Sequence, residues 1–165
     1  MSTIFFNSKT EKWSWLSCFH PCPIVDNKNA IWPSAEHAFQ AQKTKDQKWR
    51  NAIRTAENPS RAKRLGGVCP LRRDWEHRKL DLMTKIQRAK FMGNDDLMTL
   101  LLQTEHHRLV HKAPWDGYWG DGRDGQGENR LGEILMLLRD EFRRERSLAW
   151  INKLEEDESE DDMPG

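Results

Sequence analysis

Proline sets the first limit on what this chain can become. Pro21, Pro23 and Pro33 fall within its first 33 residues. A ring that fixes φ and removes the backbone N–H bars a helix interior there. That stretch is predicted to form short strands and loops, with Ile4-Phe5-Phe6 as a brief apolar run. From Ser34 onward the signals turn helical. Ser34 can cap a helix that starts Ala35-Glu36-His37 and runs to about Lys45, with Glu36 in its favourable first turn. Asp46 caps a second helix whose apolar face includes Trp49 and Ile53. Asn58-Pro59 opens a short third, closed at Gly66-Gly67.

Residues 72–92 carry the clearest long helix, with Trp75, Leu82, Ile86 and Ala89 on one stripe. Asn94 or Asp95 opens another through Leu97, Leu100 and Leu101. Leu109-Val110 is predicted to be a strand. The last helix carries the stripe Leu131, Ile134, Leu135, Leu138 and Phe142. Its Arg139, Arg143, Arg144 and Arg146 lie towards the helix end that favours cations. The pattern predicts an α+β fold: a compact, mainly helical single domain over residues 1–152 with a few short strands. Residues 153–165 are expected to be an acidic, disordered tail.

Charge sharpens this division. The 165 residues hold 27 lysines and arginines against 26 acids, but seven of those acids lie between Glu155 and Asp162. The rest is therefore basic, which suits phosphate-bearing partners, whether nucleic acid or metabolite. No apolar run approaches the roughly 20 residues a membrane span needs. The N-terminus lacks a signal-peptide pattern, and the odd number of cysteines (Cys18, Cys22, Cys69) argues against a disulfide framework. A soluble, cytoplasmic protein with no membrane partner is expected. Cys18-His20-Cys22 lacks the spaced second pair of a zinc site, so no metal is assigned, and no cofactor is called for.

One segment looks built for a ligand. Tyr118-Trp119-Gly120-Asp121-Gly122 runs through Gly125 and Gly127 to Asn129-Arg130-Leu131-Gly132, just where a helix begins. Glycine allows close backbone approach, and a helix start offers free N–H groups to an anion. The loop lacks the Gly-Lys-Ser/Thr of a P-loop, the βαβ setting of a dinucleotide fingerprint, and the spacing of an EF-hand. Turn chemistry would account for the glycines; the aromatic pair beside Asp121 is harder to dismiss. On the helix after Ser34, Glu36, Gln40 and Lys43 share one face. Spacing alone is satisfied by a solvated face with a Glu36–Gln40 contact; the sharper reading puts Glu36 at the mouth of a pocket. His37 points elsewhere and is expected to serve packing or hydrogen bonding. Eight tryptophans are unusual. Most are expected in the core, Trp49 and Trp75 among them, although tryptophan at a pocket edge also stacks on a flat ring.

Taken together, the blocks Ser34–Lys43, Tyr118–Gly122 and Asn129-Arg130-Leu131-Gly132 with Leu135-Met136 and Arg139 resemble the signature of the NADAR (YbiA-like) family. Leu16-Ser17-Cys18-Phe19, Pro21 and Pro23-Ile24 resemble its N-terminal block. Arg72–Trp75 and Arg88-Ala89-Lys90-Phe91 resemble its middle ones. The resemblance covers about residues 4–146. It implies a compact, mainly helical α+β fold and hydrolysis of N-glycosidic bonds. The substrates it implies are phosphoribosylamino-pyrimidine intermediates of riboflavin synthesis or ADP-ribose on modified guanine in nucleic acid. The family's functional positions fall at Glu36, Trp75 and Asp121. Two departures bear on substrate choice: Cys18 stands where the family usually has asparagine, and Ala38 where it often has tyrosine.

Residue chemistry adds substrate-binding candidates to that catalytic set. Trp119 would flank a base or ribose, and Lys43 and Arg130 would attract phosphate. Gly120, Gly122 and Asn129 would let the loop close on the ligand. A phosphorylated ribosyl compound is the expected partner. The rival expectation is a non-catalytic module that binds ADP-ribose or another NAD derivative.

Overall fold

The computed structural model describes residues 2–161. Its elements follow the sequence signals closely. Strand β1 (Thr3–Phe6) is followed by a 3₁₀ turn at Ser14–Leu16, then β2 (Pro21–Val25) and β3 (Ile31–Ser34). Helices α1 (Ala35–Ala41), α2 (Gln47–Arg54), α3 (Pro59–Gly66), α4 (Trp75–Met92) and α5 (Asp95–Gln103) come next. Strand β4 (Arg108–His111) and helix α6 (Arg130–Asp161) complete the chain. The mainly helical α+β expectation holds, with two small two-stranded sheets whose inner faces join the core. β2 and β3 pair antiparallel, while β1 pairs parallel with β4, Ile4 facing Leu109 and Phe6 facing His111.

The caps explain the boundaries. Ser34 Oγ accepts from His37 N, Asp46 from Lys48 N and Trp49 N, and Asn58 from Arg61 N. Each satisfies a backbone donor that a helix start leaves unpaired. Helix α1 stops at Ala41, short of the expected Lys45. Gln42, Lys43 and Thr44 turn tightly, each N–H donating three residues back. Arg50 then donates to the freed carbonyls of Ala41 at 2.7 Å and Thr44 at 3.4 Å.

Helix α1 is the centre of the fold. All seven of its residues are buried, and it packs against α2, α3, α4 and β3. The stripe Leu131, Ile134, Leu135, Leu138 and Phe142 of α6 is buried as expected. Trp49 is not in the core: α2 lies on the outside and buries only Ile53. The arginines of α6 do not mark its end. Arg139 is buried, donating to Thr104 Oγ1 at 2.9 Å and His107 O at 2.8 Å, and the helix continues well beyond Arg146. Where a disordered tail is expected from residue 153, the helix runs on to Asp161, and residues 144–159 are exposed along it. Residues 162–165 lie outside the described residues.

Lys90 of α4 is the most unusual buried group. Its side chain is fully buried, and its ammonium donates to Trp15 O at 2.7 Å and Ser17 O at 3.0 Å. Burial holds its proton affinity below the ordinary lysine value. The two carbonyls belong to the segment that carries Ser17 and Cys18, and Cys18 O in turn accepts from Glu36 N at 3.0 Å. One lysine thus fixes the N-terminal loop against α1. Lys90→Met keeps the stem and strands both carbonyls, and a buried acceptor left unpaired costs about 1–3 kcal/mol. We expect a net loss of about 2 kcal/mol and a fall in Tm of roughly 4–8 °C by calorimetry.

Candidate active site

A cavity of about 540 Å³ opens between α1, α3, α4 and the loop after β4, a size typical of small-ligand sites. Glu36 lies in its wall, only 7 % exposed. The carboxylate accepts from Gln40 Nε2 at 2.7 Å, so the i,i+4 contact read from spacing exists, but on a buried face rather than a solvated one. Desolvation by that burial raises the Glu36 carboxyl above its ordinary range. The Gln40 hydrogen bond and the charges of Lys63 and Lys43 work against the rise, and Asp116 adds to it. Gln40 is itself held in place. It lies against Gly66, where a Cβ would strike its Oε1 and Cδ, so only glycine leaves room for it.

Aromatic rings form the rest of the wall. Phe39 meets Trp75 at 5.2 Å between centroids and Trp119 at 5.4 Å, and Tyr118 meets Trp119 edge-on at 4.7 Å. Trp75 is buried, and its neighbours fix its ring angle at the cavity. Lysines rim the same space. Lys43 sits 5.9 Å from the Trp75 ring, Lys63 lies 6.0 Å from that of Phe19, and Lys79 is 4.0 Å from that of Tyr118. Burial lowers the Lys43 ammonium from its ordinary value, while Glu36 pulls it back up. Flat hydrophobic walls, a basic carboxylate and a cationic rim suit a ring-bearing anion.

The structure brings Glu36, Lys43, Trp75 and Trp119 to this cavity. Asp121, Gly120, Gly122, Asn129 and Arg130 are not among the residues that line it. The Asp121 carboxylate accepts from Ala113 N and Lys112 Nζ, both at 2.9 Å, while its backbone oxygen accepts from Gly127 N at 2.7 Å. Burial pushes its carboxyl up, but those donors outweigh it and hold the group below its usual range. Gly120 packs its Cα where a Cβ would lie 2.6 Å from Ala113 Cβ, and Gly122 adopts φ +68°. Asn129, at φ 50°, accepts from His111 N at 2.8 Å and donates to Leu109 O at 2.9 Å, tying the loop to β4. Arg130 pairs with Glu133 at 3.1 Å and Glu128 at 3.7 Å.

Asp116, Lys63 and Lys79 line the cavity but were not named as site residues from the sequence; Asp116 has the clearest structural role. Its Oδ1 accepts from Tyr118 N at 3.0 Å and Trp119 N at 2.9 Å, an Asx-type turn that aims both rings. The signal was present in the spacing Asp-x-Tyr-Trp, but it is the spacing of any such turn. Cys18 also lines the cavity, taking a hydrogen bond from Gln87 Nε2 at 3.2 Å, and burial pushes its thiol up to about 12. It is therefore a neutral packing group, not a nucleophile. His37 follows its expectation. Its Nδ1 contacts Ser34 Oγ at 2.7 Å and its Nε2 contacts Ala56 O at 3.0 Å, on the side away from Glu36.

With this geometry in view, the relatives of the chain become informative. The NADAR domain model matches residues 4–143. The N-glycosidase YbiA of Escherichia coli strain K12 is 44% identical over 142 residues, which cover 84% of this chain and 88% of that protein. An N-glycosidase of Nostoc punctiforme is 35% identical over 154 residues, covering 90% of this chain and 98% of its own. A riboflavin biosynthesis protein of Vibrio vulnificus is 38% identical over 141 residues, 84% of this chain but 38% of that longer protein. The NMR structure of E. coli YbiA superposes with a TM-score of 0.80 at 41% identity, covering 88% of this chain and 87% of that one.

The Gln40 hydrogen bond works to lower the Glu36 carboxyl, so losing it must raise that group further. We expect Gln40→Leu to move the Glu36 titration upward. Carbon-13 NMR of the labelled carboxyl would show it. Gly66→Ala, which displaces Gln40, should move the same titration in the same direction. An unmoved titration in both variants would mean that Gln40 does not control Glu36.

Proposed function

This chain belongs to the NADAR family and is an N-glycosidase, and from that premise we propose that its cavity hydrolyses the ribose–nitrogen bond of a phosphorylated ribosyl substrate with Glu36 as the central group. The buried Glu36 carboxylate, facing an aromatic cavity rimmed by lysines, is the observation that carries this reading. As the glycosidic bond breaks, its electron pair leaves with the nitrogen and positive charge grows on the sugar. Ionised Glu36 stabilises that charge across a site of low dielectric. It then takes a proton from the water whose oxygen bonds to the anomeric carbon, and that proton passes to the departing nitrogen, which restores the carboxylate. A carboxyl raised above its ordinary range is a stronger base for that transfer than a solvated glutamate.

Trp75 and Trp119 hold the base or ribose between flat faces, and Lys43, with Lys63 and Lys79, takes the phosphate. Asp116 supplies a second carboxylate at the cavity. Asp121 acts one step back, as a positioning residue: through Ala113 N and Lys112 it fixes the turn on which Asp116, Tyr118 and Trp119 sit. Gly120, Gly122 and Asn129 support the same loop, and Arg130 guides the anion from outside. Phosphoribosylamino-pyrimidines and ADP-ribosylated guanine both present the bond and the phosphate this arrangement would take. The choice between them is an assay of each with release of base or ADP-ribose measured by mass spectrometry. Tight ADP-ribose binding without turnover of either would support the rival binding-module reading.

Two linked effects are expected of Glu36→Gln. Glutamine keeps an acceptor for Gln40 and loses the base, so kcat should fall at least about 100-fold. The natural carboxyl is held above its unfolded value, near about 4.3. It therefore withdraws stability as pH rises from there through the raised value, after which the loss is constant. The variant carries no such loss. Its Tm should exceed that of the natural sequence at about pH 7.5, by roughly 2–4 °C for each kcal/mol, and the two should converge below about pH 4. An active variant, or one no more stable at neutral pH, would remove Glu36 from this role.

A further inference from the structure

Helix α6 is far longer than its core contacts require. Its last buried residue is Phe142, and Arg143 still reaches back to Glu105 O at 2.8 Å. From residue 144 to 159 every residue is exposed. That projecting segment is roughly 25 Å long at 1.5 Å per residue, and it lies beyond residues 4–143 that match the NADAR domain. An isolated helix of such length is marginal in water, because helices in proteins owe most of their stability to packing of an apolar face. This one carries such a face unpacked: Leu148 is 60 % exposed, Ile151 48 % and Leu154 45 %, with Trp150 63 % exposed at the flank.

The charges along the segment are ordered. Arg143, Arg144 and Arg146 precede the apolar stripe, and Glu155, Glu156, Asp157 and Glu158 follow it. Acids at a helix C-terminus oppose the macrodipole, so the segment is unfavourable as it stands. We propose that the projecting part of α6 is an interaction surface whose occupant is the same segment of a second copy of this chain, packed antiparallel about Ile151. With Ile151 at the two-fold axis, Leu148 of one copy meets Leu154 of the other. Arg144 then faces Glu158. At 100° per residue, Arg144, Leu148, Ile151, Leu154 and Glu158 lie on one side of the helix. The surface is self-complementary, as a two-fold interface must be. Parallel pairing would set arginine on arginine and glutamate on glutamate. A like-charged array of that kind excludes the register, which fixes the antiparallel sense.

The full chain tests this by sedimentation equilibrium over a concentration series. The expected result is a monomer–dimer equilibrium that reaches twice the mass of one chain. Ile151→Asp should leave a monomer with an unchanged core, since Ile151 lies outside the domain's packing. Arg144→Glu and Glu158→Arg should each weaken the dimer at least about tenfold, and the double variant should recover most of that loss. A chain that stays monomeric throughout the series overturns the proposal, and leaves the stripe to a different protein. So does a dimer that Ile151→Asp does not disturb, or one that the two charge reversals leave unchanged.

Discussion

The burial of helix α1 governs the rest of the molecule. A seven-residue helix with every side chain inside the protein has no solvent face on which to place polar groups. Its Glu36, His37 and Gln40 must therefore find partners within the fold or face a cavity. His37 is satisfied by Ser34 and Ala56, on the structural side. Glu36 has one hydrogen bond, from Gln40, and otherwise faces the cavity. Small residues make this possible. Ala35, Ala38 and Ala41 let neighbouring elements close on the helix, and Gly66 of α3 leaves the space that Gln40 fills. The close approach of these backbones buries the carboxylate against the cavity.

Around that helix, polar groups build walls more often than they line them. Lys90 holds the segment carrying Ser17 and Cys18, whose backbone oxygen at Cys18 in turn takes the N–H of Glu36. Asn129 fastens the opposite loop to β4, and Asp121 fastens it to Ala113 and Lys112. These groups are buried and hydrogen-bonded, and none of them is among the residues that line the cavity. Their partners leave the exposed edges of Trp119, Tyr118 and Asp116 as the groups that line the cavity. The division explains how a family pattern can include residues that never touch the cavity: a substitution there would move the walls.

Much of this was legible in the sequence because caps and periodic stripes are local signals. Ser34, Asp46, Asn58 and Asn94 stand at helix starts, and the stripe from Leu131 to Phe142 is core. Glu36, Lys43, Trp75 and Trp119, distant in sequence, line one cavity. What could not be read locally was which face of α1 water reaches. Period alone cannot separate a solvated polar face from one buried against a cavity, since both place Glu36 over Gln40. The loop failed to disclose its direction for the same reason. Asp116 and Asp121 are five residues apart in one glycine-rich loop, and the contacts that turn Asp121 inward, from Ala113 N and Lys112, are tertiary ones. Trp49 lies off the core and α6 runs on past its last core residue, Phe142, because an apolar stripe does not mark where the core ends.

The opposite shifts of Glu36 and Asp121 make one further point about how the site is built. Both carboxylates are nearly sealed from water, Glu36 at 7 % and Asp121 at 3 % exposure. Desolvation alone would raise both, yet Asp121 falls because an ammonium and a backbone N–H touch it directly. Glu36 has one neutral amide donor, and the lysines that attract it act from a distance. A lysine in contact would have stabilised the anion and taken away its basicity. Lys43 and Lys63 stay at the rim, so the carboxylate keeps its basicity. The same cations would serve a different purpose if moved a few ångströms inward, so their separation from Glu36 is as much a part of the chemistry as their charge.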